Sequence, residues 1–226
     1  MYRFTIFLLL MGLQASSQEL ARVSFTGGTD LQHFTLLTDG SLLIRISPDG
    51  HILEWGTEEQ SFRSPGSYAP RLVPYPGKVE YYGRDADSVS RGKVRSIGSA
   101  VITYFQAWET PDKIGKVRSA GRLFFDYYGI YDPKPIQGRL KSIGSTPLDY
   151  YSGFDDASLQ GKLRSVGSTL ISYYTSFDDR YVRGRLRSIG SVQYSWYSSL
   201  DRQGTAGLLK SGPYRQNTGG ILYVLQ

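Results

Sequence analysis

Cysteine is absent from the 226 residues. That excludes disulfides, thiolate metal sites, cysteine nucleophiles and a lipidated N-terminal cysteine. Histidine occurs only as His33 and His51, too few for a multi-histidine metal centre. After the N-terminal segment no apolar run is long enough to span a bilayer, so the sequence predicts no membrane span in the mature chain. The strands expected below are too short, and too charged on one face, for a transmembrane barrel. What the chain does have is 18 Tyr and 26 Gly, a composition that leans towards β structure. With 26 Lys+Arg against 20 Asp+Glu its formal net charge is +6. The length suffices for one or two domains with a real core.

The first segment reads as an address. Arg3 is followed by an apolar run from Phe4 to about Leu13, then by the small residues Ala15, Ser16 and Ser17. This order is that of a secretory signal, with cleavage expected after Ser17. The expected location is the periplasm, the cell surface or the medium.

A repeat organises the rest. Gly92-Lys93-Val94-Arg95-Ser96-Ile97-Gly98-Ser99 returns, with substitutions, from Gly115, Gly138, Gly161 and Gly184, and a worn copy starts at Gly207. Each step is 23 residues without insertion. Counting from that glycine, position 3 is Val or Leu, and positions 2 and 4 are Lys or Arg in every copy from Gly92 to Gly184. Positions 13 and 14 are aromatic in these copies, and position 18 is an acid: Glu109, Asp132, Asp155, Asp178 and Asp201. Positions 2–5 and 11–14 read as two short strands, and Ile-Gly-Ser between them is turn chemistry. Each repeat is therefore predicted to be a β-hairpin followed by a polar loop.

A three-residue turn at positions 6–8 would pair 3 with 11 and let Tyr at 13 cover the glycine at 1. It would also set Lys116 opposite Asp126 and Arg139 opposite Asp149. One face is then apolar. The other is basic, with tyrosines of position 14 among the charges. In a parallel solenoid the cation columns would repeat every ~4.8 Å, whereas in an antiparallel meander they recur ~9.6 Å apart, near the Debye length. The fold expected is therefore all-β: an elongated antiparallel meander, with a parallel β-solenoid as the alternative.

The expected organisation is a signal over 1–17, a small β-meander cap with a joining loop over 18–68, repeats over 69–212 and a C-terminal capping strand over 213–226. In the cap, His33–Thr38, Ser41–Ile46 and His51–Trp55 alternate in strand fashion. Thr57–Pro76 reads as the joining loop.

The block Gly-Lys-(Val/Leu)-(Arg/Lys)-Ser-Ile-Gly-Ser followed by Ile-x-Tyr-Tyr resembles tandem repeats in exported proteins of the Bacteroidota type. The segment from Thr38-Asp39-Gly40 to Ile52-Leu53-Glu54-Trp55-Gly56 is similar to their N-terminal part. The resemblance covers most of the mature chain and implies no particular activity. The period and Gly-Lys start are loosely similar to MORN repeats, but their Gly-x-Gly spacing and Tyr-x-Gly-x-Trp element are missing. The Tyr-rich hairpins loosely resemble YD repeats, without the Tyr-Asp-x-x-Gly core.

For catalysis, His33 lies near Asp30 in sequence, yet no nucleophile-elbow motif is present. A hydrolase would need a pocket holding His33 or His51 beside a carboxylate. For metals, the acids Asp155, Asp156, Asp178 and Asp179 recur in successive loops and make a Ca²⁺-binding repeat protein an alternative, although no EF-hand or nonapeptide pattern occurs. For binding, the basic face offers Lys116, Arg118, Arg139, Lys141, Lys162, Arg164, Arg185 and Arg187 with Tyr128, Tyr151, Tyr174 and Tyr197. Such a face suits an anionic polymer, a polysaccharide or an envelope protein. Export argues against nucleic acid. The sequence thus predicts a non-enzymatic scaffold or binding module without a cofactor.

Overall fold

The computed structural model describes residues 19–38, 41–58, 72–201 and 204–226. The predicted signal segment and the Asp39-Gly40 turn lie outside them. The N-terminal strands are β1 (Glu19–Thr26), β2 (Asp30–Leu37), β3 (Leu43–Ile46), β4 (Ile52–Glu58) and β5 (Leu72–Pro74). The repeats supply β6 (Val79–Tyr81), β7 (Val94–Ile97), β8 (Ala100–Tyr104), β9 (Val117–Ala120), β10 (Leu123–Tyr127) and β11 (Leu140–Ile143). They continue with β12 (Thr146–Tyr150), β13 (Leu163–Val166), β14 (Thr169–Tyr173), β15 (Leu186–Ile189) and β16 (Val192–Gln193). The chain ends with β17 (Ser195–Trp196), β18 (Leu209–Ser211), β19 (Arg215–Thr218) and β20 (Ile221–Leu225).

The repeats form a meander, not a solenoid. β6 to β16 follow one another in an 11-stranded sheet in sequence order, every pair antiparallel. β17 and β18 repeat the same pairing one step further on.

The hairpin register differs by one residue from that expected. Within a repeat, position 5 pairs with 10 and position 6 with 9, as in Ser165↔Leu170 and Val166↔Thr169. The turn has two central residues at positions 7 and 8, Gly followed by Ser, or by Arg122 in one copy. The glycine carries φ between 56° and 58° in five copies. A glycine of positive φ at the first central position is what a type II′ hairpin turn needs, and its twist matches that of the strands it joins. Position 11 instead pairs with position 6 of the next repeat, as Leu148 does with Val166. A bulge at position 4 follows, so Tyr150 pairs with Leu163 rather than with Arg164. The bulge turns both 3 and 6 inward, which simple alternation forbids. The expected pairs Lys116–Asp126 and Arg139–Asp149 accordingly do not form. Asp126 meets Lys113 at 2.6 Å, and Asp149 lies 3.9 Å from Arg164 of the next repeat. Gly at position 1 is needed not for Tyr shielding but for its own φ of +71° to +81° where the loop rejoins the strand.

The second sheet has seven strands in the order β19-β20-β1-β2-β3-β4-β5. Two expectations change here. Part of the expected joining loop is strand: β4 runs on to Glu58 and pairs with β5. The C-terminal strand does not cap the repeats; β20 lies parallel to β1. Nor does the small sheet stand at an end of the array. Phe25, Phe34, Ile44 and Ile46 share one buried cluster with Ile102, Val117, Leu140, Leu163 and Leu186 of the repeats. Each such side chain contributes about 1.5–3 kcal/mol when fully buried.

Two turns of the small sheet fasten the layers. The N–H groups of Val117 and Leu140 donate to Gly50 O and Pro48 O at 3.0 and 2.8 Å, and Leu186 N–H donates to Gly28 O at 2.7 Å. Lys162 Nζ donates to Thr29 O at 2.7 Å. These contacts span four consecutive repeats, so the small sheet lies along the apolar face and covers it.

The turn glycine can be tested singly. A Cβ on Gly167 would meet Thr146 Cγ2 at an ordinary 3.8 Å, so Gly167→Ala isolates the cost of its φ of +56°. It should lower stability by about 1–2 kcal/mol. Gly167→Asn should cost about as much, because the first central position of a type II′ turn lies outside the αL region that Asn tolerates. Urea denaturation checks both, with a shifted midpoint and unchanged slope expected.

Candidate binding surfaces of the repeat sheet

The two cation columns that alternation assigned to one face serve different ends. Position 2 cations lie over the buried ring of position 13 in their own repeat. Lys93 sits 4.8 Å from the Tyr104 centroid, Lys116 5.0 Å from Tyr127, Arg139 5.4 Å from Tyr150, Lys162 5.5 Å from Tyr173 and Arg185 4.8 Å from Trp196. Their polar heads donate to backbone carbonyls, as Lys93 Nζ does to Gly115 O at 2.6 Å and Arg185 to Gly27 O at 2.6 Å. Burial pushes Lys93, Lys116 and Arg185 below their ordinary pKa values. Lys116, Arg139, Lys162 and Arg185 thus belong to the scaffold.

Position 4 is different. Arg95, Arg118, Lys141, Arg164, Arg187 and Lys210 are all exposed. From Arg118 onward each lies over the position 14 ring of the preceding repeat: Phe105, Tyr128, Tyr151, Tyr174 and Tyr197, at 5.4 to 5.7 Å. Arg118 also meets Glu109 at 3.2 Å and Lys210 meets Asp201 at 2.8 Å. On the same outer face position 10 exposes Val101, Phe124 and Leu170.

The tyrosines expected to line a ligand face are half-buried. Tyr128, Tyr151 and Tyr174 donate their hydroxyls to carbonyls of the next hairpin, Leu148, Ile171 and Tyr194, at 2.9 to 3.1 Å. Tyr128 and Tyr151 pack edge-on against Tyr150 and Tyr173. A ring with a cation over it and its hydroxyl tied down is a brace between hairpins, so the position 14 tyrosines are not a free stacking surface. Alternation could not foresee this, because the partner ring lies one repeat back, across a bulge.

The loop acids are also structural. Asp155 accepts the N–H of Ser152 at 2.6 Å and Asp178 that of Thr175 at 2.6 Å, each closing its own turn. Asp156 reaches into the next loop and accepts from the N–H and hydroxyl of Ser176; Asp179 does the same with Ser199. The hydroxyls of Ser158 and Ser176 hold Asp156 down at about 2. Among the described residues no three His, Asp or Glu side chains converge as metal ligands do.

The histidines lie apart. His33 is buried in β2 opposite Ser24, without a hydrogen bond to Nε2. Burial, then the charges of Arg45 and Arg22, lower its pKa to about 4. His51 is exposed in a turn, 3.7 Å from Asp49. A cavity of about 220 Å³ between β1, β10 and the β19–β20 turn holds neither histidine.

One column escaped the sequence reading. Position 17 is Trp108, Tyr131, Phe154, Phe177 and Leu200, all strongly exposed at the loop tips. Its signal was available: a large apolar residue immediately precedes every acid of position 18.

Comparison with protein-family models, with curated proteins and with solved structures found no match.

The braces predict an alkaline transition. Burial, then the charges of Asp149 and Asp132, push Tyr128 up to about 12. A folded-state value raised above 10 gives stability that is complete below pH 10 and is lost as the pH climbs to 12. Stability should therefore fall more steeply over pH 10–12 in the wild type than in Tyr128→Phe. Chemical denaturation at three pH values in that window checks this.

Proposed function

We propose that this is an exported, non-enzymatic scaffold and binding module that engages an elongated anionic polymer along the outer face of its repeat sheet. The observation that carries this reading is the position 4 column. Six exposed cations, Arg95, Arg118, Lys141, Arg164, Arg187 and Lys210, recur once per hairpin. Their expected spacing is ~9.6 Å, two strand separations. Five are held over aromatic rings, which fixes their direction before any ligand arrives. Preorganised charges bind at a lower entropic cost than free side chains. The tyrosines act here as backing for the cations, not as the stacking surface. The periodic charge favours a partner that is itself periodic, such as an acidic polysaccharide, over a compact protein.

The test is retardation of the chain from Gln18 onward in native gels containing polygalacturonate, at two salt concentrations. Binding should weaken with salt. The triple variant Lys141→Gln, Arg164→Gln, Arg187→Gln should lose roughly tenfold or more in affinity. Each lost cation–π contact costs the fold only about 0.5–1 kcal/mol at an exposed site, so the variant should stay folded. Equal retardation of wild type and variant would defeat the reading.

Export rests on the order of Arg3, the Phe4–Leu13 run and Ala15-Ser16-Ser17. Mass spectrometry of exported protein should find Gln18 as the first residue. Replacing Leu8 and Leu9 with Asp should leave the full-length chain inside the cell.

A further inference from the structure

The loop tips carry a second periodic feature, separate from the cation column. Trp108 is 78% exposed, and Tyr131, Phe154, Phe177 and Leu200 are 95–97% exposed. These are among the largest apolar side chains of the protein, and they stand one per repeat at the same position. Lack of a nearby core does not explain them, because three of the same loops bury Ile136, Leu159 and Val182 at position 22. The loop sends one apolar residue in and one out.

Four of the five tips are also closed by a carboxylate. The amide of position 15 donates to the position 18 carboxylate: Gly129 to Asp132 at 2.7 Å, Ser152 to Asp155 and Thr175 to Asp178 at 2.6 Å, and Ser198 to Asp201 at 2.7 Å. The N–H of position 18 returns to the carbonyl of position 15, which makes position 17 the third residue of a tight turn. Asp156 and Asp179 then bond to Ser176 and Ser199 at position 16 of the following loop. The tips of Phe154, Phe177 and Leu200 are thus tied in series, and the five position 17 residues recur with an expected step of ~9.6 Å.

We infer that this comb is a binding site for a single chain of a neutral, extended β-linked polysaccharide, its sugar rings stacking on Trp108, Tyr131, Phe154 and Phe177. Four of the five tips are aromatic, and a flat ring suits the C–H face of a pyranose. The step is close to the length of two sugar rings in an extended chain, so every second ring could meet a tip. A carboxylate follows each tip and is a hydrogen-bond acceptor for sugar hydroxyls at the rim of that ring. The same carboxylates disfavour the other partners of an aromatic comb. Single-stranded nucleic acid stacks on such rings but needs a positive groove for its phosphates. Interfacial membrane elements flank their apolar residues with Lys and Arg, not with Asp. A second protein copy would find separated rings instead of the continuous apolar patch that a stable interface requires.

Native gels containing hydroxyethyl cellulose, xylan or soluble β-1,3-glucan test this directly. At least one should retard the protein, with no dependence on salt. The double variant Phe154→Ala, Phe177→Ala should lose roughly tenfold or more in affinity. It removes no buried contact, and an unchanged denaturation curve verifies that it is folded. Trp108 emission should shift to the blue when the polysaccharide is added. The triple cation variant should bind these neutral chains like the wild type, which separates failure of the comb from failure of the cation column. The inference is overturned if none of the three polysaccharides retards the protein, or if the double variant is retarded equally. It is also overturned if the substitutions instead abolish self-association in the ultracentrifuge or binding to phosphatidylcholine vesicles.

Discussion

A long sheet built from one repeated hairpin presents one apolar face along its whole length, and that face has to be kept from water. Apolar residues at positions 3, 6 and 11, with an aromatic ring at 13, supply the face in each copy from Gly92 to Gly184. Left wet, it would be a patch of the kind that drives association. The chain covers it with a second sheet drawn from both ends of the sequence, β1–β5 and β19–β20. The parallel pairing of β1 with β20 is what joins the two ends. The fastening is polar: the turns at Gly28 and Pro48–Gly50 accept the N–H groups of Leu186, Leu140 and Val117 that lie beside the bulges.

The bulge at position 4 is the second organising device. It lets positions 3 and 6 both face the core, and it turns the cation of position 4 outward over a ring of the preceding hairpin. A meander whose strands bear like charges must separate or screen them. Here the aromatic rings at positions 13 and 14 give every cation column a counter-surface. The result is an outer sheet face that carries the exposed position 4 charges, while the exposed rings of position 17 stand at the loop tips.

Much of this was legible in the residues, and the misreadings have a common origin. The period follows from the recurring block, the hairpin and the inward role of position 3 from alternation, and the meander from the spacing of its like-charge columns. The register did not, because Gly at position 7 closes a two-residue turn and the bulge absorbs the residue that alternation misassigns. The pairing of Lys116 with Asp126 failed for that reason, and so did the shared face of Arg139 and Lys141. Tyr151 looked available for a ligand because its type suits stacking; its ring is covered by Arg164, which lies 13 positions onward and across a strand boundary. Phe154 and Phe177 are not marked by alternation, because they sit in the loops between strands.

The β class and the hairpin unit are legible in the residues alone. These depend on neighbours a few residues apart, where side-chain chemistry and backbone preference act directly. The tertiary packing set which sheet covers which, and that β20 joins β1. It also decided that the tyrosines brace hairpins instead of waiting for a ligand, and that the position 17 side chains stand out from the loop tips. Those outcomes depend on contacts between residues 20 or more positions apart, whose geometry is set by the bulge, the turn and the packing of two sheets together.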